Sequence, residues 1–105
     1  NGPLANGNIV NFTREKTRRV EWTFLLSHDS SFPEVKETIL GFLSGDNRIQ
    51  TKSPVVVGLD QITEQGMHIK VRAWVKTADF TQVYFDVNAK ALVSFAQANI
   101  HFAKS

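Results

Sequence analysis

The chain has 105 residues, 42% of them apolar and 21% charged, and at this length folding buries roughly two thirds of the unfolded surface, enough for one core and too little for two. Twelve Lys and Arg against ten Asp and Glu leave a formal charge of +2, which gives no support to a nucleic-acid footprint built on bulk charge. With no Cys, disulfides, thiolate zinc sites and cysteine nucleophiles are all excluded.

At the N-terminus, Asn1-Gly2 and Asn6-Gly7 are turn signals, and Asn8, Ile9, Val10, Asn11 and Phe12 after them read as a single strand. One strand is not a domain. Residues 13–19 run Thr-Arg-Glu-Lys-Thr-Arg-Arg, a polar connector without hydrophobic periodicity, so residues 1–17 are assigned to a strand plus connector and residues 18–105 to an α/β domain. From Val20 the pattern alternates, with Val20, Trp22, Phe24 and Leu26 on one face, as a half-buried strand requires. Ser31-Phe32-Pro33-Glu34 has capping-box spacing, and Val35, Ile39, Phe42 and Leu43 then fall on one face of a helix that Gly45 can stop. Residues 54–62 read as a second strand. Gly66 opens a third, in which Met67, Ile69, Val71, Ala73 and Val75 alternate with His68, Lys70, Arg72, Trp74 and Lys76.

Asp79 with Gln82 offers a cap for a second helix whose broad apolar face comprises Phe80, Val83, Tyr84, Val87, Ala91, Phe95 and Ala98. Asn99 tolerates the left-handed conformation that ends helices, and Ile100-His101-Phe102 is expected to form a short fourth strand. The order β, then β-α-β-β-α-β, predicts an α+β fold: a ferredoxin-like sandwich with two helices on one face of a sheet. No run approaches the ~18 apolar residues of a spanning helix, so the chain is expected to be soluble.

The residues offer little chemistry. His28, His68 and His101 lie on different elements without a helical ligand partner, so no metal site is expected, and no glycine pattern cradles a phosphate, so no cofactor is expected. Asp29, Glu34, Asp79 and Asp86 are explained as caps or solvated side chains; no catalytic residue is assigned and the chain is not read as an enzyme. One binding alternative is an RNA-recognition sheet using Trp74 among Lys70 and Arg72, although the strand supplies one aromatic and no Gly. The second helix carries a further feature. Phe85, Ala89, Leu92, Val93 and Ala96 form a second apolar stripe on its far side, and a helix apolar nearly all round calls for a partner beyond its own core.

The segments Gly7-Asn8-Ile9-Val10-Asn11-Phe12-Thr13-Arg14-Glu15, Arg18-Arg19-Val20-Glu21, Val71-Arg72-Ala73-Trp74-Val75 and Val83-Tyr84-Phe85-Asp86-Val87, with Phe95 beyond them, resemble the small-conductance mechanosensitive channels of the MscS family, in order and over essentially the whole chain. The resemblance implies the cytoplasmic region of a homoheptameric, tension-gated channel of the bacterial inner membrane that releases solutes during hypoosmotic shock. It assigns Asn8, Ile9, Val10, Asn11 and Phe12 to the last strand of the preceding β-domain, left without partners here, and the stripe to a subunit interface. Asn99 stands where the family commonly has Gly. The pore-lining helix and terminal strand of the family are not in this sequence, which implies a soluble, non-conducting piece, monomeric or weakly associated by itself, with the membrane reached through upstream helices and no nucleic-acid partner.

Overall fold

In the computed structural model, residues 16–104 are described. The expected strand at residues 8–12 lies outside them. Strand β1 spans Thr17–Leu26, helix α1 Phe32–Ser44, strand β2 Val56–Thr63, strand β3 Gly66–Lys76 and helix α2 Phe80–Gln97, the last entered through a 3-10 turn at Thr77–Asp79. The sheet is antiparallel, in the order β1-β3-β2, with α1 packed on β2 and α2 on β1 and β3. This is the α+β sandwich with both helices on one face that the alternation and the two helical periods imply.

Period-two patterning decides which side of the sheet the helices cover. On β1, Val20, Trp22, Phe24 and Leu26 are buried, and on β3, Met67, Ile69, Val71, Ala73 and Val75. Against them stand Val35, Ile39 and Leu43 of α1 and Val83, Val87, Ala91 and Phe95 of α2. Phe95 is the hub of this layer, meeting Phe24, Phe42 and Phe102 edge to face with ring centroids 5.5, 6.0 and 5.7 Å away. Edge-to-face pairs of this kind add about 0.5–1.5 kcal/mol each beyond the area they bury. Trp22 fastens α2 to β1 by a second device: its Nε1 donates to the Tyr84 carbonyl at 3.2 Å, and its ring lies parallel to the tyrosine ring.

Several boundaries differ from the sequence expectation. β1 starts at Thr17, inside the stretch read as a connector, because β3 is long enough to pair Thr17 with Lys76 and Arg18 with Val75, and the Arg18 guanidinium sits 4.1 Å above the Phe80 ring. The fourth strand is reduced to one bridge, Leu26 to Phe102, flanked by Ser27 N donating to His101 O and Ala103 N to Leu25 O. β1 ends at Leu26, so the returning chain meets only its last residues. Neither helix has the expected side-chain cap. Ser31 accepts the Val35 amide through its backbone oxygen alone, and Gln82 donates to Asp86 at 2.9 Å while the Asp79 side chain caps nothing.

Two positions dictate backbone geometry. Gly66 opens β3 at φ +155°, where a Cβ would run into the Leu26 carbonyl oxygen. Asn99, at φ 59°, takes the left-handed turn that ends α2 and lets Ile100 N donate to Phe95 O at 2.8 Å.

Candidate subunit-contact surfaces

Helix α2 has two apolar sides of opposite fate. Val83, Val87, Ala91 and Phe95 recur about every fourth residue and are fully buried. The stripe Phe85, Ala89, Leu92, Val93 and Ala96 falls on the far side of the same cylinder and is exposed along its length, with Phe85 at 59%, Leu92 at 63% and Val93 at 55% of full accessibility. Three large apolar side chains projecting together from one helix differ from the scattered single hydrophobics of an ordinary surface.

The side of α2 that turns toward the loop after α1 is polar and tied down. Asp46, in the loop after α1, has a side chain only 3% exposed and accepts three hydrogen bonds from Arg48: from the backbone N at 3.0 Å, Nε at 2.9 Å and Nη2 at 2.7 Å. Lys90 of α2 approaches the same carboxylate at 3.5 Å, and the other arm of Arg48 reaches Asp86 of α2 at 2.9 Å. These bonds from Arg48 hold the Asp46 carboxyl far below the usual carboxylate range despite its burial, and the two carboxylates push the Arg48 guanidinium upward in turn. Asp86 is lowered first by the Gln82 amide and then by Arg48. The cluster clasps the α1–β2 loop to α2. Sequence reading missed it, since the only local signal is the two-residue spacing of Asp46 and Arg48, and Lys90 lies 44 positions away.

The loop also completes the sheet. β2 pairs with β3 only as far as Val56 opposite Arg72, and beyond that point Ile49 bridges to Val75 while Gln50 N donates to Trp74 O at 2.8 Å.

The uncovered face of the sheet carries His68, Lys70, Arg72, Trp74 and Lys76 of β3. Trp74 lies opposite Arg19, and Arg72 lies opposite Glu21 and binds it at 2.6 Å, which holds the Glu21 carboxyl below its ordinary range. Lys70 sits between Thr23 and Gly58, and His68 Nε2 lies 2.9 Å from the Thr63 hydroxyl. The residues singled out for base stacking therefore share one face, as a lone indole beside a guanidinium already neutralised by a carboxylate. Among the described residues, His28, His68 and His101 belong to no cluster of three or more metal-ligating side chains. No helix among these residues is long and apolar enough to cross a membrane.

Two shallow grooves border α1. One, of about 330 Å³, runs between its C-terminal end and the following loop, lined by Leu40, Leu43, Ile49 and Val55 among others. The second, of about 550 Å³, lies on the outer side of the helix along Pro33, Lys36, Glu37, Leu40 and Gly41.

Comparison with known proteins places this architecture. An uncharacterized MscS family protein of Buchnera aphidicola subsp. Baizongia pistaciae is 31% identical over 101 residues, which is 96% of this chain and 36% of that protein. The small-conductance mechanosensitive channel of Edwardsiella ictaluri is 31% identical over 87 residues, covering 83% of this chain and 30% of the channel. The chain thus spans about a third of the length of these relatives. The crystal structure of Helicobacter pylori MscS in its closed state shares the fold, with a TM-score of 0.78 at 20% identity over 86% of this chain and 37% of that one. The family model described as mechanosensitive ion channel MscS, C-terminal, matches residues 20–102, which takes in every strand and helix described above except the first three residues of β1, and the chain belongs to that family.

Proposed function

We propose that this chain forms part of the cytoplasmic wall of a tension-gated channel. Its parent spans the bacterial inner membrane through helices outside this sequence, assembles as a homoheptamer, and relieves hypoosmotic shock by passing ions and small solutes. The observation that carries this reading is the family match over residues 20–102, joined by relatives whose names state a mechanosensitive channel. Within it the domain is structural. In this reading it performs no reaction and takes no cofactor, and it conducts nothing by itself, its core being filled by packed aromatic and aliphatic side chains.

In this reading residues 18–105 are the wall, and the strand expected from the sequence at residues 8–12 lies outside the described residues. The stripe Phe85, Ala89, Leu92, Val93 and Ala96 is a lateral face toward a neighbouring copy, which gives exposed Phe, Leu and Val a reason to stand together. The sequence alone is monomeric or weakly associated in dilute solution, since it holds only this one layer of the assembly.

Stretching membrane patches that contain the full-length parent tests the proposal: tension-dependent current is expected from the parent and none from the isolated chain after reconstitution. A parent that assembles in the membrane yet stays silent at all tensions short of patch rupture refutes it.

A further inference from the structure

We infer that the open face of the sheet carries a binding site for a small planar anion, a purine nucleoside monophosphate. Its ring lies on Trp74 and its phosphate among Arg19, Lys52 and Lys76. The site is on the side of the sheet that neither helix covers, so it depends neither on the channel reading nor on any contact made by the α2 stripe.

The chain has two tryptophans and uses them in opposite ways. Trp22 is 2% exposed, its Nε1 donates to the Tyr84 carbonyl and its ring stacks on the tyrosine. Trp74 is 37% exposed, and among the described residues its indole has no ring partner, no cation above it and no acceptor for its Nε1. An indole gains most when its ring is stacked and its N–H is paired. The backbone of Trp74 is nevertheless fixed from both sides. Arg19 stands opposite it on β1, and Gln50 N donates to its carbonyl at 2.8 Å from the α1–β2 loop. A ring held in place with its own bonding unused is open to a ligand.

The loop that completes the sheet also makes a cleft. Thr17, Gln50, Lys52, Ser53 and Trp74 enclose about 210 Å³. Thr17 shares the face of Trp74, since it pairs with Lys76 two residues further along β3. The lining is one planar ring, a carboxamide, two hydroxyls and an ammonium, a set of donors and acceptors that suits the edge of a heterocycle and the hydroxyls of a sugar. A cleft of this size takes one ring system, with the rest of the ligand lying along the sheet. A lone indole likewise stacks one base, whereas modules that bind single strands set several aromatics in succession. Both features select a single nucleotide over a nucleic-acid strand.

Charge supplies the other half of the recognition. By alternation, β1 and β3 put Arg19, Lys70, Arg72 and Lys76 on the open face against one carboxylate, Glu21. Four cations less one carboxylate leave +3, more than the +2 of the whole chain, and Lys52 adds another cation from the loop. Arg72 is engaged by Glu21 at 2.6 Å. Arg19, Lys52 and Lys76, which surround Trp74, have no carboxylate within salt-bridge distance among the described residues. Three cations spread round one ring suit a dianionic phosphate attached to a stacked base.

Equilibrium dialysis of the 105-residue chain against AMP, adenosine and inorganic phosphate tests the assignment, with intrinsic fluorescence as a second readout. AMP is expected to bind saturably and about tenfold or more tightly than either adenosine or phosphate, because only AMP engages ring and cations together. It should quench the exposed Trp74 while the buried Trp22 continues to emit, and Trp22 emission reports whether each variant is folded. Trp74→Leu is expected to weaken AMP binding about tenfold or more and Trp74→Phe to keep it within about threefold, as loss and retention of a stacking ring require. Arg19→Gln combined with Lys52→Gln should weaken AMP about tenfold and leave adenosine unchanged, and AMP affinity alone should fall as salt rises from about 50 to about 200 mM. Equal affinities for AMP and phosphate, or AMP binding indifferent to Trp74→Leu, would overturn the inference. An oligoadenylate that binds far more tightly than AMP would also overturn it, by making the occupant a nucleic-acid strand. The patch recordings decide the channel reading separately from each of these outcomes.

Discussion

Asp46→Ala isolates the clasp between the α1–β2 loop and α2. The carboxylate is 3% exposed and takes three hydrogen bonds from Arg48 and a longer contact from Lys90. Hydrogen bonds to a charged, buried group contribute about 1.5–3 kcal/mol each net, and breaking a fully buried pair costs about 3–5 kcal/mol. Arg48 is 28% exposed and retains Asp86, so its charge is not stranded when Asp46 is removed, and the loss should fall toward the lower end, about 2–3 kcal/mol. The effect depends on pH with a definite sign. The folded carboxyl titrates well below the ~3.9 of an unfolded Asp, so the contribution is fully present above about pH 4 and disappears as pH falls further. Urea denaturation of the isolated chain, followed by the fluorescence of buried Trp22, should show wild type and variant separated at pH 7 and drawn together near pH 2. A difference below about 0.5 kcal/mol at pH 7, or one that persists unchanged in acid, would refute the assignment of this energy to the ionised carboxylate.

Gly66→Ala should cost about 3 kcal/mol or more, read by the same denaturation, because it adds a Cβ at positive φ against the Leu26 carbonyl; a cost under about 1 kcal/mol would show that the β2–β3 turn relaxes freely. Ser31→Ala should change stability by less than about 0.5 kcal/mol, since the hydroxyl makes no capping bond, and a loss in the range of about 0.5–2 kcal/mol typical of a removed cap would restore the capping-box reading.

What the sequence reveals here follows from how local each feature is. The alternation of Val20, Trp22, Phe24 and Leu26 against polar neighbours is a property of consecutive residues, and so is the spacing of Val35, Ile39 and Leu43; both led to the observed buried faces. The left-handed turn at Asn99 was legible for the same reason. Capping was not. Ser31 and Glu34 have the right spacing, but spacing does not fix a rotamer, and Gln82 found a better acceptor in Asp86 one turn along its own helix than at the helix start. Nor could the start of β1 be read from composition, because Thr17 and Arg18 are held by pairing to Lys76 and Val75 across the sheet. The Asp46 clasp escaped entirely, since its members come together only when α2 docks. As for the stripe, its exposure was foreseeable from helical geometry, because Phe85, Leu92 and Val93 fall on the side of α2 opposite the buried Val83, Val87, Ala91 and Phe95.

The energetics of the stripe bear on where the proposed ring of such domains would draw its strength. Phe85, Leu92 and Val93 together offer apolar area on the order of 300 Å², the size of the largest patch on a typical monomer, whereas a stable interface needs about 800 Å² from each partner. At about 25 cal/mol per Å² such a patch yields about 7 kcal/mol, no more than the ~4–15 kcal/mol range that free association costs in translational and rotational freedom. Once side-chain ordering and polar desolvation are added to that cost, two isolated copies gain little net from this contact. In a channel whose membrane helices already hold the copies side by side, most of that entropy has been given up elsewhere, and the same contact becomes intramolecular at a high effective concentration. A patch too small to drive assembly is then large enough to fix the lateral register of the wall, and a polar substitution such as Leu92→Glu should loosen that register without dispersing the ring.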